Sequence, residues 1–158
     1  MSDFQKIYDQ YARMVYRFLL QLTANEDLAE ELLQETFYRA LQNIDRFDGR
    51  CSLYTWLCQI GKNAWYKELR SKKRFRDKTE LETVSKEDPE ELLIQKEQVA
   101  EIRKAIWNLP EPYRDVFVMH ALGGMKLKEI AALYGKSESW ARVTYYRGKQ
   151  QIIKEVSK

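Results

Sequence analysis

Histidine occurs once in this 158-residue chain and cysteine twice, so the soft ligands of a metal site are nearly missing. Cys51 and Cys58 have only the distant His120 to join them, and free thiols in a reduced compartment are the expected state, with a redox switch as the sharper alternative. His120 stands beside Val118 and Met119 on an apolar helix and is expected as a partly buried structural residue. No apolar run is long enough to span a bilayer and no signal-peptide pattern is found, which predicts a soluble, cytoplasmic protein. No β-alternating run bounded by turn signals occurs, so the fold class is all-α. Neither a paired acid and base, a nucleophile with its base, nor a phosphate loop stands out, and an enzyme, a cofactor or a small-molecule substrate is not expected. The formal net charge is only +3, so the global balance identifies no partner.

What the chain does hold is concentrated in its last third. From Lys126 to Lys149 the pattern reads as a helix, a glycine turn and a second, basic helix. Leu127, Ile130, Ala131 and Tyr134 repeat at helical spacing, and Ala131 is small where a second helix must cross close by. Gly135 can take the positive φ that ends the first helix, and Ser137 is a good N-cap for the next. In that helix Ala141, Tyr145, Gly148 and Ile152 form a packing stripe, while Arg142, Val143, Tyr146, Arg147 and Gln150 lie on the other side. The outward set mixes guanidinium, aromatic and amide groups, as a major-groove reader would; the plain alternative is a helical hairpin with a solvated basic face.

Charge divides the rest. Lys62, Lys67, Arg70, Lys72, Lys73, Arg74 and Arg76 make a basic patch broken only by Glu68, and from Asp77 to Glu101 the sign inverts. Residues 77–87 read as an exposed acidic linker, followed by a helix start at Asp88-Pro89-Glu90-Glu91. The expected architecture is therefore two small helical domains, 1–76 and 88–158, joined by a flexible linker, with the helix-turn-helix in the second. In the first, Phe4 to Leu22 carry an apolar stripe, and Asp27 is expected to cap a second helix whose apolar positions include Leu32, Phe37, Ala40 and Leu41. Asp48-Gly49 marks a turn, after which a third helix carries Leu53, Trp56, Leu57, Ile60, Ala64 and Leu69 into the basic run.

The motifs Ala29-Glu-Glu-Leu-Leu-Gln-Glu-Thr-Phe37, Phe47-Asp-Gly-Arg-Cys-Ser-Leu-Tyr-Thr-Trp-Leu57 leading to Ile60 and Asn63, Leu109-Pro-Glu-Pro-Tyr-Arg-Asp-Val-Phe117 and the helix-turn-helix stand in this order. In order and spacing they resemble the extracytoplasmic-function sigma factors of the sigma-70 class, and the resemblance covers nearly the whole chain. It implies a non-catalytic initiation subunit that binds core RNA polymerase and directs it to promoter DNA. Glu30, Glu31, Gln34 and Glu35 would then dock on the polymerase's largest subunit, where acids and an amide pair with arginines. Asn63 and Lys67 match positions that contact the melted minus-10 strand, and Arg70, Lys73 and Arg74 would hold its phosphates. Arg142, Val143, Tyr146 and Arg147 match the positions that read the minus-35 element.

Trp56 is expected to pack, whereas Trp65 and Tyr66 are left open between stacking on DNA and packing on the first helix. Ser139, Trp140 and Thr144 depart from many relatives; a basic residue missing at Thr144 would weaken a phosphate contact, and Trp140 would alter the docking angle. The resemblance further implies an anti-sigma factor as partner, membrane-bound in many cases. The acidic linker is read equally as a mimic of nucleic acid in the polymerase channel and as a solubilising tether. The competing function is a helix-turn-helix repressor or activator that never docks on polymerase, which requires a self-complementary surface or a ligand pocket.

Overall fold

The N-terminal helices form because an apolar stripe at helical spacing recurs three times between cap and turn signals. In the computed structural model, which describes the backbone of residues 3–76 and 90–158 and the side chains of 3–71 and 97–158, these are α1 (Asp3–Thr23), α2 (Glu26–Asn43) and α3 (Leu53–Arg76). The three pack on one another around Val15, Phe18, Leu19, Leu22, Ala29, Leu32, Phe37, Ala40 and Leu57, all buried. Each such large side chain contributes on the order of 1.5–3 kcal/mol by leaving water. Close approach is set by Gly61: a Cβ there would meet Leu19 and Thr36 side-chain atoms at 3.0 Å. The cap of α2 is Asn25, whose Oδ1 accepts from the Leu28 amide at 3.0 Å, and not Asp27 as expected. Asp27 lies inside the first turn, where a carboxylate still favours the helix dipole. Leu41 also departs from expectation, since it is 52% exposed.

The C-terminal helices are α4 (Glu90–Trp107), α5 (Tyr113–Phe117), which runs on through a π-turn over Val118–Leu122, α6 (Leu127–Leu133) and α7 (Glu138–Val156). The expected helix start at Asp88-Pro89 and the acidic linker 77–87 lie outside the described residues. The turn between α6 and α7 is built as its residues predict. Gly135 has φ +63°, where a side chain would be strained, and Ser137 Oγ accepts from the Trp140 amide at 3.1 Å. Among the described residues there is no strand, and no helix is long and apolar enough to cross a membrane.

The two helical groups meet face to face. Phe18 of α1 lies against Gly123, Trp65 and Tyr66 of α3 hold Trp107 of α4 edge-on, and the buried apolar residues of both groups form one connected core.

Candidate nucleic-acid and polymerase interfaces

α7 is a two-faced helix. Ala141, Thr144, Gly148 and Ile152 are buried toward α5 and α6, leaving Arg142, Val143, Tyr146 and Arg147 together on the outer face. Val143 is 48% and Tyr146 60% exposed. Arg142 is paired with Glu138 at 3.2 Å, but both side chains are mostly exposed, so the guanidinium is held weakly and is free to bind an acceptor. Thr144, a position the sequence reading weighed for a phosphate contact, is buried on the packed face of α7. Trp140, half-buried with its ring 5.7 Å from that of Tyr134, ties the start of α7 to α6.

On α3, Asn63, Lys67 and Arg70 are exposed at helical spacing on one side. The side chains of Lys73 and Arg74 lie outside the described residues. Lys62 does not belong to this patch, because its side chain is 0% exposed and its ammonium lies 2.9 Å from Asp115 Oδ2. Trp65 and Tyr66 are both buried, so neither is a free stacking platform; each packs on Trp107 of α4, a third outcome beside the two left open. Trp56 packs as expected, its ring 5.3 Å from that of Phe47.

On α2, Glu30, Glu31 and Gln34 are exposed, while Glu35 is half-buried and ion-paired to Arg39 at 2.7 Å. Beside the acids stand Tyr38, 63% exposed, and Leu41, 52% exposed, which extend the Glu31–Gln34 line by two turns. Sequence reasoning missed both. Leu41 was assigned inward because a leucine among apolar neighbours is more often buried; the spacing 31, 34, 38, 41 was the available signal.

Between the modules lies a polar knot. Asp115 of α5 accepts from Tyr66 Oη at 2.6 Å, from Oη of Tyr134, the C-cap of α6, and from Lys62. Burial alone would raise its pKa, but the Lys62 charge and these hydrogen bonds outweigh it and hold the carboxyl below its ordinary value. Burial pulls the Lys62 ammonium down, and Asp115 opposes that shift. Tyr66 and Tyr134 are pushed up, first by burial and then by the facing carboxylate. Arg114, paired with Glu111 at 2.7 Å, lies over the Tyr66 ring at 4.5 Å. At the rim, Arg103 of α4 donates to the Gln21 and Leu22 carbonyls at 2.9 and 2.7 Å, satisfying the C-terminal end of α1. Tyr54 Oη donates to the Gly123 carbonyl at 2.8 Å, and Glu129 accepts from the Ser52 amide at 2.6 Å.

Cys51 and Cys58 are buried and unpaired, and burial pushes both thiols up, away from the reactive thiolate. His120 is half-buried, with Nδ1 2.8 Å from the Met125 carbonyl and its ring edge-on to Tyr145. These contacts support the structural role expected for it.

Comparison with known proteins matches two family models to the chain, Sigma-70 region 2 over residues 7–75 and Sigma-70, region 4 over residues 100–152. The chain is 30% identical over 163 residues to the ECF RNA polymerase sigma factor SigX of Bacillus subtilis, covering 98% of this chain and 84% of that protein. It is 30% identical over 149 residues to SigM of the same organism, covering 93% and 91%. Among solved structures it is similar to the sigma factor RpoE in complex with the anti-sigma factor NepR from Bartonella quintana, with TM-score 0.66, 20% identity and 99% and 98% of the two chains covered. It is also similar to CnrH in complex with the cytosolic domain of CnrY, with TM-score 0.62, 19% identity and 98% and 87% covered. At such identities the likeness to solved structures shows the fold.

Proposed function

The chain belongs to the extracytoplasmic-function sigma factors of the sigma-70 class, and from that premise we propose which of its surfaces carries each part of promoter recognition. It binds core RNA polymerase and directs promoter-specific transcription initiation; the chemistry of RNA synthesis is the polymerase's. The domain limits are 1–76 for docking and minus-10 recognition, 77–87 for the linker and 88–158 for minus-35 recognition. Glu30, Glu31, Gln34 and Glu35 dock on the polymerase, with Tyr38 and Leu41 supplying the apolar centre that a stable interface needs. The partial burial of Glu35 gives it a supporting part, holding Arg39.

Asn63, Lys67, Arg70, Lys73 and Arg74 hold the opened minus-10 strand, the amide toward a base and the cations along phosphates. Arg142, Val143, Tyr146 and Arg147 enter the major groove at minus-35, arginine toward guanine O6 and N7 and the apolar groups toward thymine methyls. The single observation that carries this reading is the arrangement of α7: a capped helix that buries one face and leaves arginines, valine and tyrosine together on the other. Each DNA patch is small, so binding becomes selective when polymerase holds both modules on one duplex. The protein acts in the cytoplasm, and an anti-sigma factor, membrane-bound in some relatives, is the regulator the family membership supports. The repressor alternative has no observation in its favour.

The test is in vitro transcription with core polymerase over a randomised promoter library. Transcripts enriched for one minus-35 and minus-10 pair are expected. Absence of promoter-specific transcripts, where a control sigma factor works, would refute the reading.

A further inference from the structure

The exposed side chains of α7 do not all point the same way. At about 100° per residue, Val143 and Tyr146 stand about 60° apart, opposite the buried Ala141, Thr144, Gly148 and Ile152. Arg142 and Arg147 are five residues apart in the chain and therefore about 140° apart around the axis, one on each flank of that outer line. The two flanks are built differently. On the Arg147 side α7 presses on the start of α5: a Cβ added at Gly148 would lie 3.4 Å from the Tyr113 carbonyl oxygen and 3.5 Å from its Cβ. Beside that contact runs a cleft of about 320 Å³, lined by Leu109, Pro110, Tyr113, Arg147 and Gln151. Leu109 is buried and Tyr113 half-buried, while Arg147 and Gln151 are exposed. The Arg147 guanidinium, the Gln151 amide and the Tyr113 hydroxyl have no hydrogen-bond or ion-pair partner among the described residues. Glu111, the one acid in the turn before α5, is held by Arg114 at 2.7 Å and accepts from the Asp115 amide. The cleft thus joins an uncompensated cation to two neutral donors over apolar walls.

That donor set suits a phosphodiester, whose oxygens accept hydrogen bonds and whose sugar packs on apolar surface. The major groove is about 12 Å wide and a helix with its side chains about 10–12 Å across, so the outer line of α7 faces the bases and its flanks lie against the two sugar-phosphate walls. Arg142 stands near the helix start, where reading helices reach base edges. Arg147 lies about 7.5 Å further along the axis and is walled by Pro110 and Tyr113. We propose that Arg147, Gln151 and Tyr113 form a clamp on the phosphate backbone of one minus-35 strand, so that Arg147 fixes the register in which Arg142, Val143 and Tyr146 read the bases. The proposal rests on the promoter-reading function above and narrows the part of Arg147 within it. A guanidinium lying along a ring and a proline has fewer rotamers to lose on binding than one standing free in water, which favours a fixed phosphate contact.

Phosphate contacts and base contacts leave different signatures, and the test reads both. Core polymerase carrying the full chain is titrated at several salt concentrations onto promoter fragments in which each minus-35 base pair is varied in turn. Arg147→Gln is expected to weaken binding to every fragment by about the same factor, about tenfold, with the order of base preference unchanged. It should also lower the slope of log affinity against log salt by about 0.9, the share of one neutralised phosphate. Gln151→Ala and Tyr113→Phe remove a neutral donor each and should weaken binding by about two- to tenfold, again uniformly, with the salt slope unchanged. Both exposed positions tolerate substitution, and Tyr113→Phe keeps the ring, so folding is not at stake. Loss of preference at a single base pair in Arg147→Gln, with the salt slope intact, makes Arg147 a base reader and overturns the clamp. Wild-type affinity in both Gln151→Ala and Tyr113→Phe overturns it as well. A wild-type holoenzyme with no preference among the fragments refutes the promoter function itself, a result read before any variant is compared.

Discussion

Removal of the Asp115 carboxylate is the perturbation that this structure constrains most tightly. In Asp115→Ala the Lys62 ammonium, 0% exposed, keeps no facing carboxylate within ion-pair distance, only neutral hydrogen-bond partners, Tyr134 Oη at 3.3 Å and Met119 Sδ at 3.6 Å, and the Tyr66 and Tyr134 rings beside it. Breaking one side of a buried pair costs about 3–5 kcal/mol. An independent ceiling comes from discharging the lysine: from its ordinary 10.5, neutralisation at pH 7 costs about 5 kcal/mol at about 1.36 kcal/mol per unit. The two figures agree, so a loss of about 3–5 kcal/mol is expected, carried by the interface. Lys62→Met leaves Asp115 with two tyrosine donors and should cost less, about 1.5–3 kcal/mol, the range of a hydrogen bond to a charged group. The double variant Lys62→Met with Asp115→Leu, which removes both charges and keeps apolar volume, should recover most of the loss. Urea unfolding of the full chain at pH 7, followed by tryptophan fluorescence and by helical ellipticity, measures this. Trp65 and Trp107 meet at the interface, so fluorescence should move to lower urea in Asp115→Ala ahead of ellipticity. A loss below about 1 kcal/mol, the scale of an ordinary exposed pair, with the two probes still coincident, would refute the reasoning.

Acid should open the same contact. The Asp115 carboxyl is depressed below its ordinary 3.8, so its contribution is complete above that value and is lost as pH falls through the folded-state pKa. Glu111, raised by burial, takes up its proton first and at no cost to the fold, and the raised tyrosines stay neutral in acid, so scattering should show expansion only as pH falls below 3.8. On α7, proposed above to read minus-35, Arg142→Ala is expected to weaken discrimination at one base pair of that element by about 10- to 100-fold, without changing polymerase affinity in a pull-down. Specificity unchanged across a promoter library would remove Arg142 from the reading set. On α2, proposed above to dock on polymerase, Tyr38→Ala with Leu41→Ala should weaken core polymerase binding by about tenfold or more in a titration, while thermal stability stays near wild type because both side chains are exposed. Unaltered polymerase affinity would place the docking surface elsewhere.

Much of the architecture was legible because it depends on local chemistry. Apolar spacing marked the inward faces of α1, α6 and α7, glycine with positive φ marked the end of α6, and a serine oxygen marked the start of α7. Errors arose where two candidates competed over a short stretch. Asn25 won the cap from Asp27, and Leu41 turned out to the surface from what looked like an apolar stripe. Thr144, absent from the packing stripe read in the sequence, lies one turn from Ala141 and Gly148 on the packed face.

The sequence by itself determined an all-helical chain with an acidic helix, a basic helix and a helix-turn-helix in family order, because caps, turns and amphipathic stripes act over a few residues. Only the tertiary structure decided the fate of Lys62, Trp65, Tyr66 and Asp115. Read along the chain, the lysine belonged to a basic patch and the aromatics to a choice between DNA and the first helix. Their partners across the contact come from the other module, 49 residues away for Tyr66–Asp115 and 57 and 72 for Lys62 with Met119 and Tyr134, and no local pattern announces a contact closed across such a distance. Burial then gives the pairing its force, since a charge taken from water must find its counterpart in the fold.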